Sequence, residues 1–529
     1  MSIKGHTDEL ARSLKENGIN YAFGVSGSGA SLELITALTK YGVKYYPVAH
    51  EGAGVIMAGA CSKSGKPLGV AISIKGPGFV NLIPGITANY FENRPAITIS
   101  EAYSPTAPSH KMHKRVNHFE ISKSILKGFV SADGKKETIS NLFNTLSREV
   151  PGPGHIELYN DQEQPQDSFL DTKKNNENSS RETYAEILEE IKKSKRPALV
   201  LGSLTTRALK DFDFSSLGIP IVTTAAAKGV VDENSAMSAG VITGEVKELS
   251  PESNILKEAD LIIGIGLRNT EVVAAKPFDA PLVIIDDDVD DALHTGFEAK
   301  TACKISGIGD KDIEIFCKEI KGKEWGNDSV ERWRLSLKKA LFGDSFMPAT
   351  AFKVLQSTLD RDTILVLDTG LFCVIGETVW KASNSDQFIG SSIGRFMGTG
   401  LPTAIGVSLS NQNKPVVCAM GDGGIRPHIS EIKLAVSENL LILFILMSDK
   451  RYGSVALSGI PNKLNSDGFD IKNASWREAV NGMGCKSETV STEEEFVDTL
   501  GVWKKGKGPM FVEISFDQDA YLEMTNKLR

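Results

Sequence analysis

Residues 416–420, Val-Val-Cys-Ala-Met, are an unbroken apolar run that stops at Gly421-Asp422-Gly423-Gly424. A run this short, apolar at every position and β-branched at its start, reads as a parallel strand buried on both faces. The glycines after it carry almost no side chain, so backbone N–H groups can approach a phosphate. Residues 431–439 then read as a helix and residues 440–447 as the next strand, closed by Ser448-Asp449-Lys450-Arg451-Tyr452-Gly453-Ser454. Strand, glycine turn, helix and strand in succession confine this part of the chain to an α/β layer fold. Two carboxylates, Asp422 and Asp449, stand at the two strand ends. They suit a magnesium ion that keeps most of its bonds for phosphate oxygens and water. An ordinary strand–turn–helix with two surface aspartates accounts for the same residues.

The same rhythm runs through the rest of the chain. A helix over 8–17 precedes a strand at 21–25, the turn Ser26-Gly27-Ser28-Gly29 and a helix over 31–40. Strands at 43–48, 68–74 and 96–100 follow, with a small-residue helix over 52–64 and the turn Lys75-Gly76-Pro77-Gly78 between them. This pattern predicts a parallel sheet covered on both faces. Residues 171–180 are polar and without apolar periodicity, which marks a linker. A second α/β unit has strands at 198–202, 220–224, 261–266 and 282–286. Gly264-Ile265-Gly266 lacks the third glycine and the following helix of a dinucleotide turn. A charged and polar connection covers 318–344. The third unit begins near Pro348, with a strand at 363–367 ending in Asp368-Thr369-Gly370, another at 387–389, a glycine-rich stretch over 394–402 and a last strand at 510–514. The expected organisation is three doubly wound parallel-sheet domains over 1–165, 181–325 and 345–529.

Composition bounds the function. The 529 residues are 41% hydrophobic and 24% charged, with a formal net charge of −8, as in a soluble globular protein with a full core. No long basic run is present, which disfavours a nucleic-acid partner. The six cysteines are scattered without a C-x-x-C pair and read as buried free thiols rather than a zinc site or disulfide framework. Met1 to His6 has no apolar signal core and no run reaches membrane-span length, so the expected location is cytoplasmic and no membrane partner is expected.

Glu51 stands apart. It ends the apolar stretch Val48-Ala49-His50 and precedes Gly52-Ala53-Gly54. A carboxylate there is expected to be partly buried, beside neighbours small enough to admit a flat ring. Burial raises a carboxyl pKa and suits it to proton transfer. An acid favoured by a helix N-terminus is the alternative reading.

Taken together, Phe23-Gly24-Val25, His50-Glu51, Lys75-Gly76-Pro77-Gly78-Phe79-Val80-Asn81, Met397-Gly398-Thr399-Gly400-Leu401-Pro402-Thr403-Ala404-Ile405-Gly406, Gly421-Asp422-Gly423 and Asp449 resemble the thiamine diphosphate (ThDP)-dependent decarboxylase and carboligase superfamily, nearest its acetolactate synthase-like branch. The resemblance covers nearly the whole chain. It implies an N-terminal pyrimidine-binding domain, a central Rossmann-like domain and a C-terminal diphosphate-binding domain. It also implies a homodimer or homotetramer in which one cofactor lies between two subunits. On that basis Glu51 hydrogen-bonds the aminopyrimidine ring, favouring the imino tautomer that deprotonates the thiazolium C2 carbon. Asp422 and Asp449 become Mg2+ ligands, with the backbone carbonyl of Arg451 a third. Gly423 and Gly424 face the diphosphate, flanked by Gly421 and the turn Tyr452-Gly453-Ser454. Thr369, Gly370, Leu371 and Phe372 form the other phosphate-side turn. Val374 supports the bent cofactor and Met397 contacts the pyrimidine.

The chain departs from the branch at several points. Asp449 stands where the second metal ligand is commonly asparagine, and the extra negative charge is offset at long range by Lys450 and Arg451. His113-Lys114-Arg115 replaces a Phe-Gln-Glu triplet, within a basic, histidine-rich run. Either this run is a solvated loop, or some of His110, His113, Lys114 and Arg115 bind an anionic substrate. Leu371-Phe372-Cys373 replaces Gln-His-Gln, Val374 is smaller than usual, and Phe79 is larger than usual. Ser26 and Phe79 are further candidates for the substrate side. No flavin-binding signature is visible. The expected activity is decarboxylation of a 2-keto acid, with pyruvate the default, and transfer of the acyl anion to an acceptor carbonyl. Alternatives are simple decarboxylation to an aldehyde, C–C bond cleavage without decarboxylation, and a non-catalytic ThDP-binding subunit. The intact Glu51 argues against the last.

Overall fold

The computed structural model describes residues 3–62, 65–104, 107–108, 110, 113–159, 168–171, 181–242, 244–271, 278–288, 297–343, 345–472 and 475–528. They form three α/β domains, each built on its own sheet. The first sheet contains β1 (Tyr21–Gly24), β2 (Lys44–Pro47), β3 (Gly69–Ser73), β4 (Ile97–Ala102), β5 (Gly128–Ser131), β6 (Gly154–Tyr159) and β7 (Phe169–Leu170), in the order β2-β1-β3-β4-β6-β5-β7. Only the short β7 pairs antiparallel, on β5. The central sheet contains β8 (Pro197–Leu201), β9 (Ile221–Thr223), β10 (Ser238–Val241), β11 (Leu261–Ile265), β12 (Leu282–Asp286) and β13 (Thr301–Lys304), ordered β10-β9-β8-β11-β12-β13. The third contains β14 (Ile364–Leu367), β15 (Phe388–Gly390), β16 (Val416–Gly421), β17 (Ile442–Ser448), β18 (Lys486–Val490) and β19 (Met510–Ser515), ordered β15-β14-β16-β17-β19-β18.

The parallel geometry follows from the apolar runs. Every residue of β3, β4, β8, β11, β12, β14 and β17 is buried. Strands buried on both faces lose the alternation of a half-exposed sheet, and helices cover them on either side. Strands β5, β6, β7, β10, β13 and β18 add to those read from the sequence.

The expected polar connection over 318–344 is overturned. The helix Asp310–Ile320 runs into it, and Asn327–Leu341 is a helix of 15 residues. Its buried positions include Val330, Trp333, Leu337 and Leu341, spaced by three and four, which is the spacing of one helical face. Trp333 Nε1 donates to the Leu249 carbonyl at 2.8 Å. Charged residues on the outer face hide this stripe in a composition-based reading. The linker expected at 171–180 falls, from residue 172 on, outside the described residues.

The N- and C-terminal domains dock directly. The helix Glu51–Ala60 lies against the helix Gly400–Ser410, and a Cβ on Gly406 would stand only 2.5 Å from the Met57 carbonyl oxygen. Glycine is what permits this approach. Glu92, just past the helix Pro77–Phe91, accepts backbone N–H bonds from Ser392, Ile393 and Gly394 at 3.0, 3.2 and 2.8 Å. All six cysteines are free and buried. Among the described residues no helix is long and apolar enough to cross a membrane.

Candidate active site

Strands β16 and β17 are neighbours in register, Gly421 opposite Met447, so they end side by side. Asp422 and Asp449 follow these ends and are 2% and 6% exposed. Asp422 accepts the Ser448 hydroxyl at 3.2 Å and the Lys450 N–H at 2.9 Å. Asp449 accepts the Arg451 N–H at 3.1 Å. Lys450 adopts a left-handed φ of +54°, an uncommon conformation for a long side chain, of the kind found where a loop is shaped for function. Burial raises the Asp422 carboxyl above its ordinary value. Burial, reinforced by the charge of Asp422, lifts Asp449 to about 7.

The adjacent cations form no direct ion pair with these carboxylates, and the Arg451 side chain acts on Asp449 only through its charge. Arg451 turns away, its Nε donating to Asp470 at 3.0 Å, and among the described residues neither Asp422 nor Asp449 forms an ion pair. Two buried carboxylates without a directly paired cation are costly. Their donor chemistry, hard oxygens at the rim of a glycine turn, fits a divalent cation such as Mg2+.

The surrounding backbone leaves no room for side chains. A Cβ on Gly423 would lie 2.6 Å from the Tyr452 ring and 2.8 Å from Met397 sulfur. One on Gly453 would lie 2.7 Å from Asp449 Oδ2, and one on Gly424 would strike Asp368 Oδ2. Gly421, Asp422, Gly423, Gly424, Met397, Asp449, Tyr452 and Gly453 are thus brought into one cluster. Asp368, at the end of β14, is the hub that sequence reasoning passed over. Its carboxylate accepts N–H bonds from Thr369 at 2.8 Å and Gly398 at 3.0 Å. Burial lifts its pKa to about 7 despite further N–H groups from Gly400 and Thr399. The Thr369 hydroxyl beside it is buried without a hydrogen-bond partner among the described residues. An orphaned hydroxyl beside a glycine-rich turn is what a phosphate-bearing ligand would satisfy. Leu371, Phe372, Cys373 and Val374 are all buried and wall this cradle with apolar surface. Ser454 is exposed, one residue into the helix Gly453–Gly459.

Glu51 occupies the first position of the helix Glu51–Ala60, capped by His50, whose Nδ1 accepts the Gly52 N–H at 3.1 Å. Glu51 is thus a helix-start acid and, as expected, buried, at 7% exposed. Asn81 Nδ2 donates to Glu51 Oε2 at 3.0 Å. A Cβ on Gly78 would sit 3.4 Å from Glu51 Oε1, so the Gly-Pro-Gly turn leaves that oxygen uncrowded. These contacts are internal to the N-terminal domain, whereas those of Asp422 and Asp449 are internal to the C-terminal domain.

On the other side of the Gly76 turn, the Lys114 carbonyl packs against Gly76. His113 and Lys114 are exposed, with Lys114 at a φ of +60°. A cavity of about 350 Å³ at the C-terminal ends of β3, β4 and β6 is lined by Lys75, Tyr103, Lys114, Arg115, Asn117 and Tyr159 among others. Ser26 is exposed past the end of β1. Phe79 is not on the surface expected for it. It is fully buried, stacked on His118 with ring centroids 3.9 Å apart. Phe79, Leu82 and Ile86 share the inward face of the helix Pro77–Phe91, and that periodicity turns the ring into the core. His118, His155 and Glu157 lie close enough to hold a metal. However, His118 Nε2 accepts the Gly76 N–H at 3.2 Å. Its proton therefore sits on Nδ1, 3.0 Å from Glu157 Oε1, so His118 and Glu157 brace the Gly76 turn, while His155 Nδ1 lies 2.8 Å from the Thr98 hydroxyl.

Among the described residues, a network of the chain's own polar side chains stands at the strand ends of the central sheet. Glu271 takes the Ser203 N–H and hydroxyl at 2.9 and 2.6 Å. Fully buried Arg268 spans Asp286 and Glu149 at 2.6 and 3.1 Å.

Comparison with known proteins gives the same division of the chain. Three family models match: the N-terminal thiamine pyrophosphate (TPP) binding domain of TPP enzymes over 6–121, their central domain over 184–295, and their C-terminal TPP binding domain over 368–514. The chain is 26% identical over 491 residues to the acetolactate synthase large subunit of Buchnera aphidicola subsp. Acyrthosiphon pisum, covering 86% of this chain and 84% of that protein. It is 23% identical over 538 residues to the acetolactate synthase large subunit of Lactococcus lactis subsp. lactis, covering 97% and 92%. To the chloroplastic acetolactate synthase of Arabidopsis thaliana it is 25% identical over 490 residues, covering 85% and 70%.

Proposed function

We propose a reaction from a plain premise: the chain belongs to the thiamine diphosphate-dependent enzymes, on their acetolactate synthase-like branch. The reaction is decarboxylation of a pyruvate-like 2-keto acid and transfer of the acyl unit to the carbonyl of an acceptor. The observation that carries it is the pairing of two half-sites: a buried acid facing a bare glycine turn in one domain, and a buried carboxylate pair beside glycine N–H groups in another.

Asp422 and Asp449 would hold Mg2+ together with the Arg451 carbonyl, and the ion would neutralise both carboxylates. The N–H groups of Gly423 and Gly424 and the Thr369 hydroxyl would bind the diphosphate oxygens. Val374 and Phe372 exclude water from that end, which strengthens every charge interaction there. Bound thiamine diphosphate supplies the nucleophilic carbon and the electron sink for the acyl unit. Glu51 holds and returns a proton at Oε1, on the side left open by Gly78, while Asn81 fixes Oε2. The aminopyrimidine of a bound cofactor would be the partner for that proton. Lys114 and Arg115 supply positive charge for the carboxylate of the keto acid. The product side releases carbon dioxide and forms one C–C bond.

The two half-sites belong to different domains, and the apolar surface around them is uncovered in one chain. Val80, Tyr90 and Phe91 are 44%, 39% and 47% exposed, and Val455 and Leu464, beyond the carboxylate pair, are 52% and 62% exposed. Exposed apolar side chains of this size are normally covered by association. A homodimer or homotetramer, with the N-terminal domain of one subunit facing the C-terminal domain of another, would cover them and complete the site. The expected setting is the cytoplasm.

The test is carbon dioxide release from a panel of 2-keto acids, with and without aldehyde or keto acid acceptors. Release coupled to a C–C bonded product supports the reading. Release with free aldehyde as the sole product replaces it with simple decarboxylation. Failure of ThDP plus Mg2+ to raise the melting temperature overturns it.

A further inference from the structure

Glu431 lies outside every role assigned above. It is 1% exposed, in the short turn Ile429–Glu431 of the C-terminal domain. Its carboxylate reaches into the N-terminal domain. Oε1 accepts the N–H of Ala49 and of His50, both at 3.0 Å, and Oε2 lies 3.2 Å from the Ala49 nitrogen. These are the two residues immediately before Glu51. His50 in turn caps the helix that Glu51 begins. The path from Glu431 to Glu51 is therefore two backbone hydrogen bonds and one peptide unit.

A simple domain contact does not explain the choice of a carboxylate. Burying one is costly unless its oxygens are used, and burial lifts Glu431 to about 7 even with two N–H groups bound. The surroundings are not cationic. No cation contributes to the electrostatics of Glu431, and burial lowers His428, whose ring centroid lies 6.0 Å from that of His50, to about 4. Such a group is retained where it fixes something. What it fixes is the entry of the chain into the Glu51 helix, at the junction where the N-terminal domain presents its acid.

We propose that Glu431 is a positioning residue for Glu51: from the C-terminal domain it clamps the backbone of Ala49 and His50, and so sets where the Glu51 carboxyl stands opposite Gly78. This rests on the reading of Glu51 as the proton-exchanging acid. A site of this kind needs its acid held within about half an ångström of its working position, and one carboxylate accepting two successive N–H groups restricts both translation and rotation of that peptide.

Two variants separate positioning from bulk stability. Glu431→Gln keeps one oxygen able to accept both N–H groups, whereas Glu431→Ala keeps none. The first readout needs no cofactor: amide hydrogen exchange at Ala49 and His50 in the full-length apoprotein. It should rise at least tenfold in Glu431→Ala and stay near wild type in Glu431→Gln. The second is the rate of deuterium exchange at C2 of bound thiamine diphosphate, which reports the proton step that Glu51 serves. It should fall at least tenfold in Glu431→Ala and recover by most of that factor in Glu431→Gln. The cofactor's dissociation constant should change less than threefold in either variant. Wild-type C2 exchange in Glu431→Ala overturns the proposal. So does a parallel loss of cofactor affinity, or an equal defect in both variants with amide protection intact. A wild-type protein that neither binds thiamine diphosphate nor accelerates its C2 exchange overturns the functional reading, and this proposal with it.

Discussion

Replacing Asp449 with asparagine should make the apoprotein more stable and the metal-bound protein weaker. Asp449 is 6% exposed, and burial together with the charge of Asp422 holds it at about 7, against an ordinary value of 3.8. A folded-state value above the unfolded one means that the folded protein binds the proton more tightly. The ionised folded state is thus penalised, by nothing below the unfolded value and by the full gap above the folded one. The gap corresponds to roughly 4 kcal/mol. Asparagine removes this penalty while its amide oxygen can still accept the Arg451 N–H that Asp449 takes at 3.1 Å. Urea unfolding of the metal-free protein should therefore show Asp449→Asn more stable than wild type by about 2–4 kcal/mol near pH 8, with the difference shrinking toward zero near pH 4. With Mg2+ and thiamine diphosphate the order should narrow or reverse, because the ion loses one charged oxygen. Equal apoprotein stability at both pH values, or a less stable asparagine variant near pH 8, would refute the account of the carboxylate pair.

Three further outcomes follow from the same geometry. Glu51→Gln should retain cofactor-dependent thermal stabilisation but lose about 100- to 10,000-fold in turnover; full turnover would remove Glu51 from the reaction. Gly423→Ala places a Cβ 2.6 Å from the Tyr452 ring and 2.8 Å from Met397 sulfur; it should cost about 1–3 kcal/mol in urea unfolding and abolish stabilisation by thiamine diphosphate. Mg2+ affinity should fall as pH drops below 7, by up to about tenfold per pH unit, because the ion must displace the proton from Asp449; a titration with thiamine diphosphate present, at about pH 6 and pH 8, decides this.

How much of this was legible depends on where each residue's partner lies. Strands β16 and β17 could be read because burial on both faces leaves no polar alternation to confuse the pattern. Once they are taken as neighbouring parallel strands, Asp422 and Asp449 must end up side by side, so the carboxylate pair is nearly a consequence of the sequence pattern. The edge strand β18 is Lys-Ser-Glu-Thr-Val with its first four residues at least partly exposed, and an edge needs no apolar run to pair. The helix Asn327–Leu341 escaped because charge density outweighed a buried stripe of four residues. Phe79 was misplaced for the opposite reason. Its size beside a glycine turn suggested a pocket wall, although its spacing to Leu82 and Ile86 marked an inward helical face.

Asp368 and Glu431 mark the limit of such reading. Each sits in an unexceptional local setting, a strand end and a helix start. Asp368 matters because Gly398, 30 positions on, turns its N–H toward it. Glu431 matters because the backbone of Ala49, 382 positions earlier, needs an acceptor. No periodicity or composition encodes a partner at that separation. A carboxylate whose ligand lies outside the chain announces itself by an unusual local pattern of glycines and strand ends. A carboxylate whose ligand is the chain's own backbone does not, because the groups that explain it, N–H donors, are carried by every residue except proline. Residues that hold other residues in place are for that reason the ones a folded structure adds to a sequence.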